Sequence, residues 1–366
     1  MERRDFIKSA AGFGAAAILA GSCSRLDFIT DENDDFSGDE FFSFAHITDQ
    51  HVQAERHGDE GYLECVNAVK KERPELVVMG GDMAFDGNYH EKSKFIRDVK
   101  LYKEISDELG VPYFHCMGNH DTLGLSPRRK VSVNDPDFGK KAIMDLLEWP
   151  SSYYSFDYKG WHFVVLDCMH VVKDDEHGPI YHVEIDPEQM EWLAADLGTA
   201  DGRPIVAFTH VAAFCNIGQI NANPDIKAMN HMVLNNTKEL RLLLERHKVK
   251  ALIQGHSHMI ENYRFNGVWY ITSAAASAAW WGGNWLGFKP GYTMFTCKGD
   301  ELLWEHKTYQ WEAKLEPEDN LERERNVKHN KFLAEQKKLR KEEILAGKDH
   351  SEKKIPLSGR KLHVMR

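Results

Sequence analysis

Five apolar runs in this sequence each end in groups that can bind a cation or move a proton. Asp49 and His51 follow residues 41–47, Asp82 follows 75–79, and Asn119 and His120 follow 111–117. His210 follows 204–208, and His256 and His258 follow 250–254. A His-x-His pair alone says little, because a strand-end imidazole is more often solvated or hydrogen-bonded than a ligand. Five such endings in one chain say more. Ligands of open α/β sheets bind beyond the carboxyl ends of the strands, so these groups are expected to converge on one edge. Gly81 and Gly118 let the backbone come close to the site beside Asp82 and Asn119. Carboxylate, amide and imidazole without thiolate suit divalent Mn, Fe, Zn, Co or Ni. Two such ions sharing a carboxylate stand about 3.5–4 Å apart, a spacing that clamps the attacking and leaving oxygens of phosphoryl transfer.

The elements that must position these groups alternate along the chain. Apolar spacing predicts helices over 62–73 and 92–109 between the first three strands. Segments 153–157 and 161–168 flank Lys159-Gly160 like a hairpin. Asp186-Pro187-Glu188-Gln189 reads as a helix start, with a capping carboxylate, a first-turn proline and an amide three residues after the cap. Residues 211–236 have little periodicity and are expected to be a long loop beside the site. A helix over 237–247 precedes the His-x-His strand. β ribbons are expected over 263–273 and 292–309, the second turning at Lys298-Gly299-Asp300. Strands alternating with helices indicate a layered α/β domain.

With 366 residues, 42% hydrophobic, the chain can bury one large core. Its net charge of −11 argues against nucleic acid as a partner, since such binders need a basic face. The charge is uneven: residues 316–366 carry +4 and the rest −15. A mixed-charge segment of this kind, 312–366, is expected to be a solvated helix or tail. The six cysteines are scattered, with neither a zinc-ribbon spacing nor a disulfide framework.

The N-terminus, Arg3-Arg4-Asp5-Phe6-Ile7-Lys8 followed by small apolar residues, resembles a twin-arginine export signal. Its apolar run is shorter than the roughly 20 residues that span a bilayer. Ala20-Gly21-Ser22-Cys23 resembles a lipoprotein cleavage site, with Leu19 one place from the usual leucine, and ordinary signal-peptidase cleavage is the alternative. Segment 1–23 is therefore expected to be a signal, with Cys23 as lipid anchor, and the product exported, either periplasmic or membrane-anchored. Seven of the fourteen residues 27–40 are acidic and none is basic, so 24–40 is expected to be an acidic tether to a domain over 41–311.

The ordered blocks Asp49-Gln50-His51, Gly81-Asp82, Gly118-Asn119-His120-Asp121, the lone His210 and Gly255-His256-Ser257-His258 resemble the calcineurin-like metallophosphoesterase superfamily. The resemblance covers roughly residues 41–311. It implies a four-layer α/β/β/α sandwich with a dinuclear metal site at the strand C-terminal ends. It also implies Asp49, His51 and His258 as ligands of one metal, Asn119, His210 and His256 as ligands of the other, and Asp82 as the bridge. His120 is the implied phosphoryl contact and proton donor, with Asp121 orienting its ring. Two divalent ions, Mn, Fe or Zn foremost, are the implied cofactors. The implied reaction is hydrolysis of phosphomonoesters or phosphodiesters by a hydroxide held between the ions. Phe85 stands where purple acid phosphatases carry a tyrosine, so no Fe(III)–phenolate site is expected.

Partners are then phosphate-ester small molecules or lipid or glycan phosphates. A class III cyclic nucleotide phosphodiesterase, whose Asp-x-His opening is shared here, is one alternative. The other is a non-catalytic surface protein that binds through Trp280-Trp281-Gly282-Gly283-Asn284-Trp285. Trp280, Trp281, Asn284 and Trp285 are candidate substrate-binding residues, as a stacking wall for a base, sugar or lipid head group. The competing reading makes them a packing plug. Arg128, Arg129 and Lys130 would meet a second phosphate or lie in solvent.

Overall fold

The computed structural model describes residues 25–26 and 41–315, apart from 128, 174, 176, 177 and 221–230, with single positions at 317, 335 and 338. The expected signal, Cys23 and Arg128 lie outside the described residues. The chain divides into two compact units, Met1–Glu312 and Ala313–Arg366. Every candidate ligand and catalytic residue lies in the first unit.

Two sheets form its centre. One has the order β14-β13-β2-β3-β4: Glu301–Thr308, Gly291–Lys298, Phe41–Ile47, Leu76–Met79 and Tyr113–His115. The other has the order β1-β5-β6-β9-β10-β12-β11: Arg25–Leu26, Tyr154–Tyr158, Trp161–Val165, Ile205–Phe208, Ala251–Gln254, Val268–Thr272 and Glu261–Phe265. Within the first, β2, β3 and β4 run parallel; within the second, β6, β9, β10 and β12 do. β1 pairs with β5 at Arg25↔Ser155, so the stretch expected to be a tether begins as an edge strand.

The parallel steps need crossover helices, which the sequence supplies. α1 (Gly58–Glu72) and α2 (Lys92–Asp107) link β2 to β3 and β3 to β4. α1 buries Gly61, Tyr62, Cys65, Val66 and Val69 at helical spacing, with Asp59 and Glu60 in its first turn and Lys70 and Lys71 in its last, matching its dipole. After the short α3 (Lys141–Leu146), α4 (Pro187–Leu197) is capped as expected, the Asp186 carboxylate accepting from the Gln189 amide at 2.8 Å. α5 (Ile217–Ile220) interrupts the expected loop, and α6 (Thr237–Arg246) leads into β10.

The sheets meet face to face through aromatic rings. Phe44 of β2 packs edge-on against Phe163 of β6 at 5.4 Å, and Phe114 of β4 stacks on Phe156 of β5 at 4.0 Å. Both inner faces are fully buried along these strands, so the four-layer α/β/β/α sandwich is the architecture. After β12 the chain crosses between the sheets. Thr48 pairs with Ala275, the Ala276 amide donates to Thr48 O at 2.9 Å, and the Ser277 hydroxyl donates to Asp49 O at 2.7 Å. This crossing ties the strand ends of both sheets together at one edge. No apolar alternation in the sequence marks the two-stranded ribbon of β7 (Met169–Val172) and β8 (Ile180–Val183), which among the described residues pairs only with itself.

Candidate metal centre

Five of the seven expected ligands have left-handed backbones: Asp49 (φ 54°), His51 (44°), Asp82 (55°), His256 (70°) and His258 (57°). Each such conformation costs a non-glycine residue roughly 1–3 kcal/mol and persists only where its surroundings fix it. Here backbone bonds between loops do so. The Asp49 amide donates to Gly81 O at 2.9 Å, and the His51 amide to Asp82 O at 2.8 Å. The twists turn side chains that would point up and down alternate strand faces into a common space.

Two clusters result, Asp49 with His51 and His258, and Asp82 with His210 and His256. Their junction is Asp82. Its Oδ1 accepts from the His120 amide at 2.8 Å, while Oδ2 lies 3.1 Å from His210 Nε2 and 3.6 Å from His51 Nε2, one imidazole from each cluster.

The histidine tautomers follow from what faces each ring. A carbonyl can only accept, so the ring nitrogen beside one carries the proton and the other presents a lone pair. His51 Nδ1 faces Phe85 O at 3.2 Å, His210 Nδ1 faces Gly80 O at 2.7 Å, and His258 Nδ1 faces Ala278 O. All three therefore aim Nε2 inward. His256 is reversed: Nε2 faces His231 O at 2.8 Å, which leaves Nδ1 for the site. Such backbone partners are how metal-binding histidines are usually oriented.

These lone pairs crowd one another. His51 Nε2 and His258 Nε2 stand 3.3 Å apart, and Asp49 Oδ1 lies 3.2 Å from His258 Nε2. Asp49 Oδ1 and the amide oxygen of Asn119 are buried and make no hydrogen bond among the described residues. Acceptors packed this closely repel unless a cation lies between them, so the residues fit two divalent ions. The protonation pattern agrees. Burial pushes His51 down to about 3 and His256 to about 4, keeping both neutral. At His210 burial works in the same direction, but Asp82 and Asp49 outweigh it and raise the group to about 10. A proton there is the counter-charge that an entering cation displaces.

His120 lies at the mouth, its ring edge-on to that of His51 at 5.0 Å. The expected orienting contact from Asp121 is not there. The turn Asn119–Asp121 sends the Asp121 carboxylate backward, where it accepts from the amides of Asp82 (2.9 Å), Met83 (2.8 Å) and Gly118 (2.9 Å). His120 Nδ1 instead faces Asp86 Oδ1 at 3.4 Å. The only sequence signal for Asp86 is an acid on the turn after Asp82.

The tryptophan segment divides. Trp281 is fully buried and donates to His51 O at 3.1 Å, while Trp280 packs on His258 with ring centres 4.3 Å apart. Trp285 is half-buried and donates to Ser257 O at 3.0 Å; Asn284 is exposed. Of the basic trio, Arg129 donates to Gly124 O (2.9 Å) and Pro179 O (2.7 Å), and Lys130 pairs with Glu91 at 3.7 Å.

A family model described as calcineurin-like phosphoesterase matches residues 42–259, which include every residue of both clusters. The chain belongs to the calcineurin-like phosphoesterase family. This phosphoesterase is 23% identical over 235 residues to a probable cyclic nucleotide phosphodiesterase from Xenorhabdus bovienii, covering 61% of this chain and 81% of the relative. It is 22% identical over 213 residues to a probable glycerophosphodiester phosphodiesterase from Arcobacter nitrofigilis, covering 57% and 65% respectively. In fold it is similar to a dimetal phosphatase from Danio rerio, with TM-score 0.53, 16% identity, and coverage of 73% of this chain and 96% of that one. It is therefore a hydrolase acting on phosphoric esters.

Proposed function

We propose that this phosphoesterase hydrolyses small phosphate esters, phosphodiesters foremost, outside the cytoplasm. The observation that carries the reading is Asp82 Oδ2, set between His210 Nε2 and His51 Nε2 so that one carboxylate oxygen serves both clusters. Bound there, two divalent ions supply Lewis-acid activation of water and of the phosphoryl oxygens. The chain's own groups do the rest. Asp49, His51 and His258 would hold one ion, and Asn119, His210 and His256 the other. His120, held above neutral pKa by Asp82 and Asp86 against its burial, carries a proton for the departing alcohol oxygen.

Diester preference is supported by the probable phosphodiesterase activities of both relatives, and export by the Arg3-Arg4 segment and the acidic stretch after it. The deciding assay offers purified protein with Mn(II) both bis(p-nitrophenyl) phosphate and p-nitrophenyl phosphate. Faster turnover of the diester is expected; turnover of neither with any divalent metal would leave a non-catalytic binding protein as the better reading. Cyclic nucleotide hydrolysis is the second reading, favoured by the Xenorhabdus relative, and 3′,5′-cyclic AMP belongs in the same panel. Location is tested by fractionating cells: recovery of the protein in the cytoplasm, with its N-terminus intact, would remove the export proposal.

A further inference from the structure

The three tryptophans of 280–285 sit within a few ångströms of the clusters yet have different surroundings. Trp281 points away from the site, edge-on to Trp311 at 5.9 Å. Trp280 points toward it. Its ring centre is 4.3 Å from His258 and 5.6 Å from His51, and only 6% of the residue is exposed. Trp285 stands edge-on to Trp280, with centres 5.2 Å apart and planes at 85°, and 6.3 Å from His258.

Trp285 is half-buried, and Asn284, Leu286 and Gly287 beside it are exposed. Its indole N–H is already used on Ser257 O, the residue between the two ligand histidines. What remains for a visitor is the ring face and its hydrocarbon edge. The loop tip is braced by reciprocal backbone bonds, Trp285 N–H to Phe288 O at 2.9 Å and Phe288 N–H to Trp285 O at 2.7 Å. A ring fixed in this way costs little further ordering when something stacks on it. The position also matters. The His51 ring has both Trp280 and His120 as neighbours, with ring centres 5.6 and 5.0 Å away. A phosphate ester at His51 is thus within reach of both a proton donor and the aromatic corner.

We infer that Trp285, backed by Trp280, forms a subsite for a flat aromatic ring on an alcohol of the substrate, so that aryl or nucleoside phosphodiesters are preferred to ring-free ones. The inference rests on the phosphoesterase reading of the adjoining clusters. A planar ring gains from offset or edge-on contact with indole, and stacking of a base on one aromatic side chain is worth roughly ten- to hundredfold in binding.

The test compares Trp285→Ala and Trp285→Phe with the unaltered Mn(II)-loaded protein on three diesters: bis(p-nitrophenyl) phosphate, 3′,5′-cyclic AMP and glycerophosphoethanolamine. Trp285→Ala is expected to raise KM about ten- to hundredfold for the ring-bearing diesters, to leave the ring-free one within about twofold, and to keep metal content unchanged. Trp285→Phe should restore most of the loss. A shift in only one ring-bearing substrate identifies the aryl or the nucleoside as the source of the ring. Equal shifts for all three, or none, would overturn the subsite. Quenching of tryptophan fluorescence by adenosine 5′-monophosphate, lost in Trp285→Ala, is expected independently of turnover. Quenching without any hydrolysis would keep the subsite while removing the catalytic reading beside it; no difference in quenching between the two proteins would remove the subsite.

Discussion

Asp86 and His120 face each other across the mouth of the site, Oδ1 to Nδ1 at 3.4 Å, and no sequence-adjacent acid plays that part. Burial alone would lower the imidazole, but Asp82 and Asp86 together raise it to about 9, so it is protonated at neutral pH. A positioning carboxylate of this kind acts through the histidine rather than on the substrate.

Asp86→Asn is expected to lower kcat about tenfold and to move the alkaline limb of the pH–rate profile toward lower pH, because removing a negative neighbour lowers the pKa of His120. His120→Ala should cost roughly 10²- to 10⁴-fold on esters with poor leaving groups while metal content holds. Asp121→Asn should leave the alkaline limb in place, since Asp121 braces the amides of Asp82, Met83 and Gly118 instead. An unmoved limb in Asp86→Asn would end the assignment.

Removal of the shared carboxylate is the sharpest test of the two clusters. Asp82→Asn takes charge from beside both His210 and His51, so occupancy of both ions should fall together. Atomic metal analysis after dialysis against Mn(II) reads this directly. Two ions per chain still bound, or loss of one alone, contradicts a bridge at Asp82.

Much of the site was legible because each ligand follows a short apolar strand whose parallel neighbours force all the carboxyl ends to one edge. Gly255-His256-Ser257-His258 illustrates the limit. Spacing places two imidazoles on a turn, but the φ angles of 70° and 57° and the carbonyls of His231 and Ala278 decide which nitrogen each presents. Asp121 misled because sequence adjacency to His120 suggests contact, whereas the tight turn reverses its side chain. The ribbon Met169–Val172 with Ile180–Val183 left no signal, since most of its residues are partly exposed and no apolar alternation marks it. For the tryptophans, sequence offers a wall or a plug. Burial splits them, and burial is a property of the fold.

A buried cluster far along the sheet ties stability to pH. His162, fully buried on β6, has Asp157 Oδ1 2.7 Å from Nδ1 and Asp196 Oδ2 2.9 Å from Nε2. Only the doubly protonated ring donates to both carboxylates. Burial opposes the charge, but the hydrogen bonds to Asp157 and Asp196 prevail and raise the pKa. A folded-state pKa raised above the unfolded value near 6.5 gives stabilisation that is complete below pH 6.5 and is lost as pH rises through the folded pKa. The Tm advantage of the unaltered protein over His162→Gln should thus be largest near pH 6 and shrink into alkaline solution. An advantage that grows with pH would show that the ring is neutral in the fold.

Trp281 connects the helix layer to the first cluster. Its ring lies over Gly58 and Gly61 of α1, so close that a Cβ on Gly61 would sit 2.5 Å from Cε3 of the indole and 3.1 Å from Trp311. Its N–H meanwhile holds the carbonyl of His51, whose own backbone is left-handed. Gly61→Ala must therefore displace the indole, an overpacking that costs about 1–3 kcal/mol. The strain falls first on the set with Asp49 and His258, to which His51 belongs, and reaches His210 and His256 through Asp82. Urea unfolding should show the loss of stability, and titration with Mn(II) should show one of the two binding steps weakened more than the other. Equal weakening of both steps would mean that the glycine serves the fold alone and that the hydrogen bond from Trp281 does not position His51.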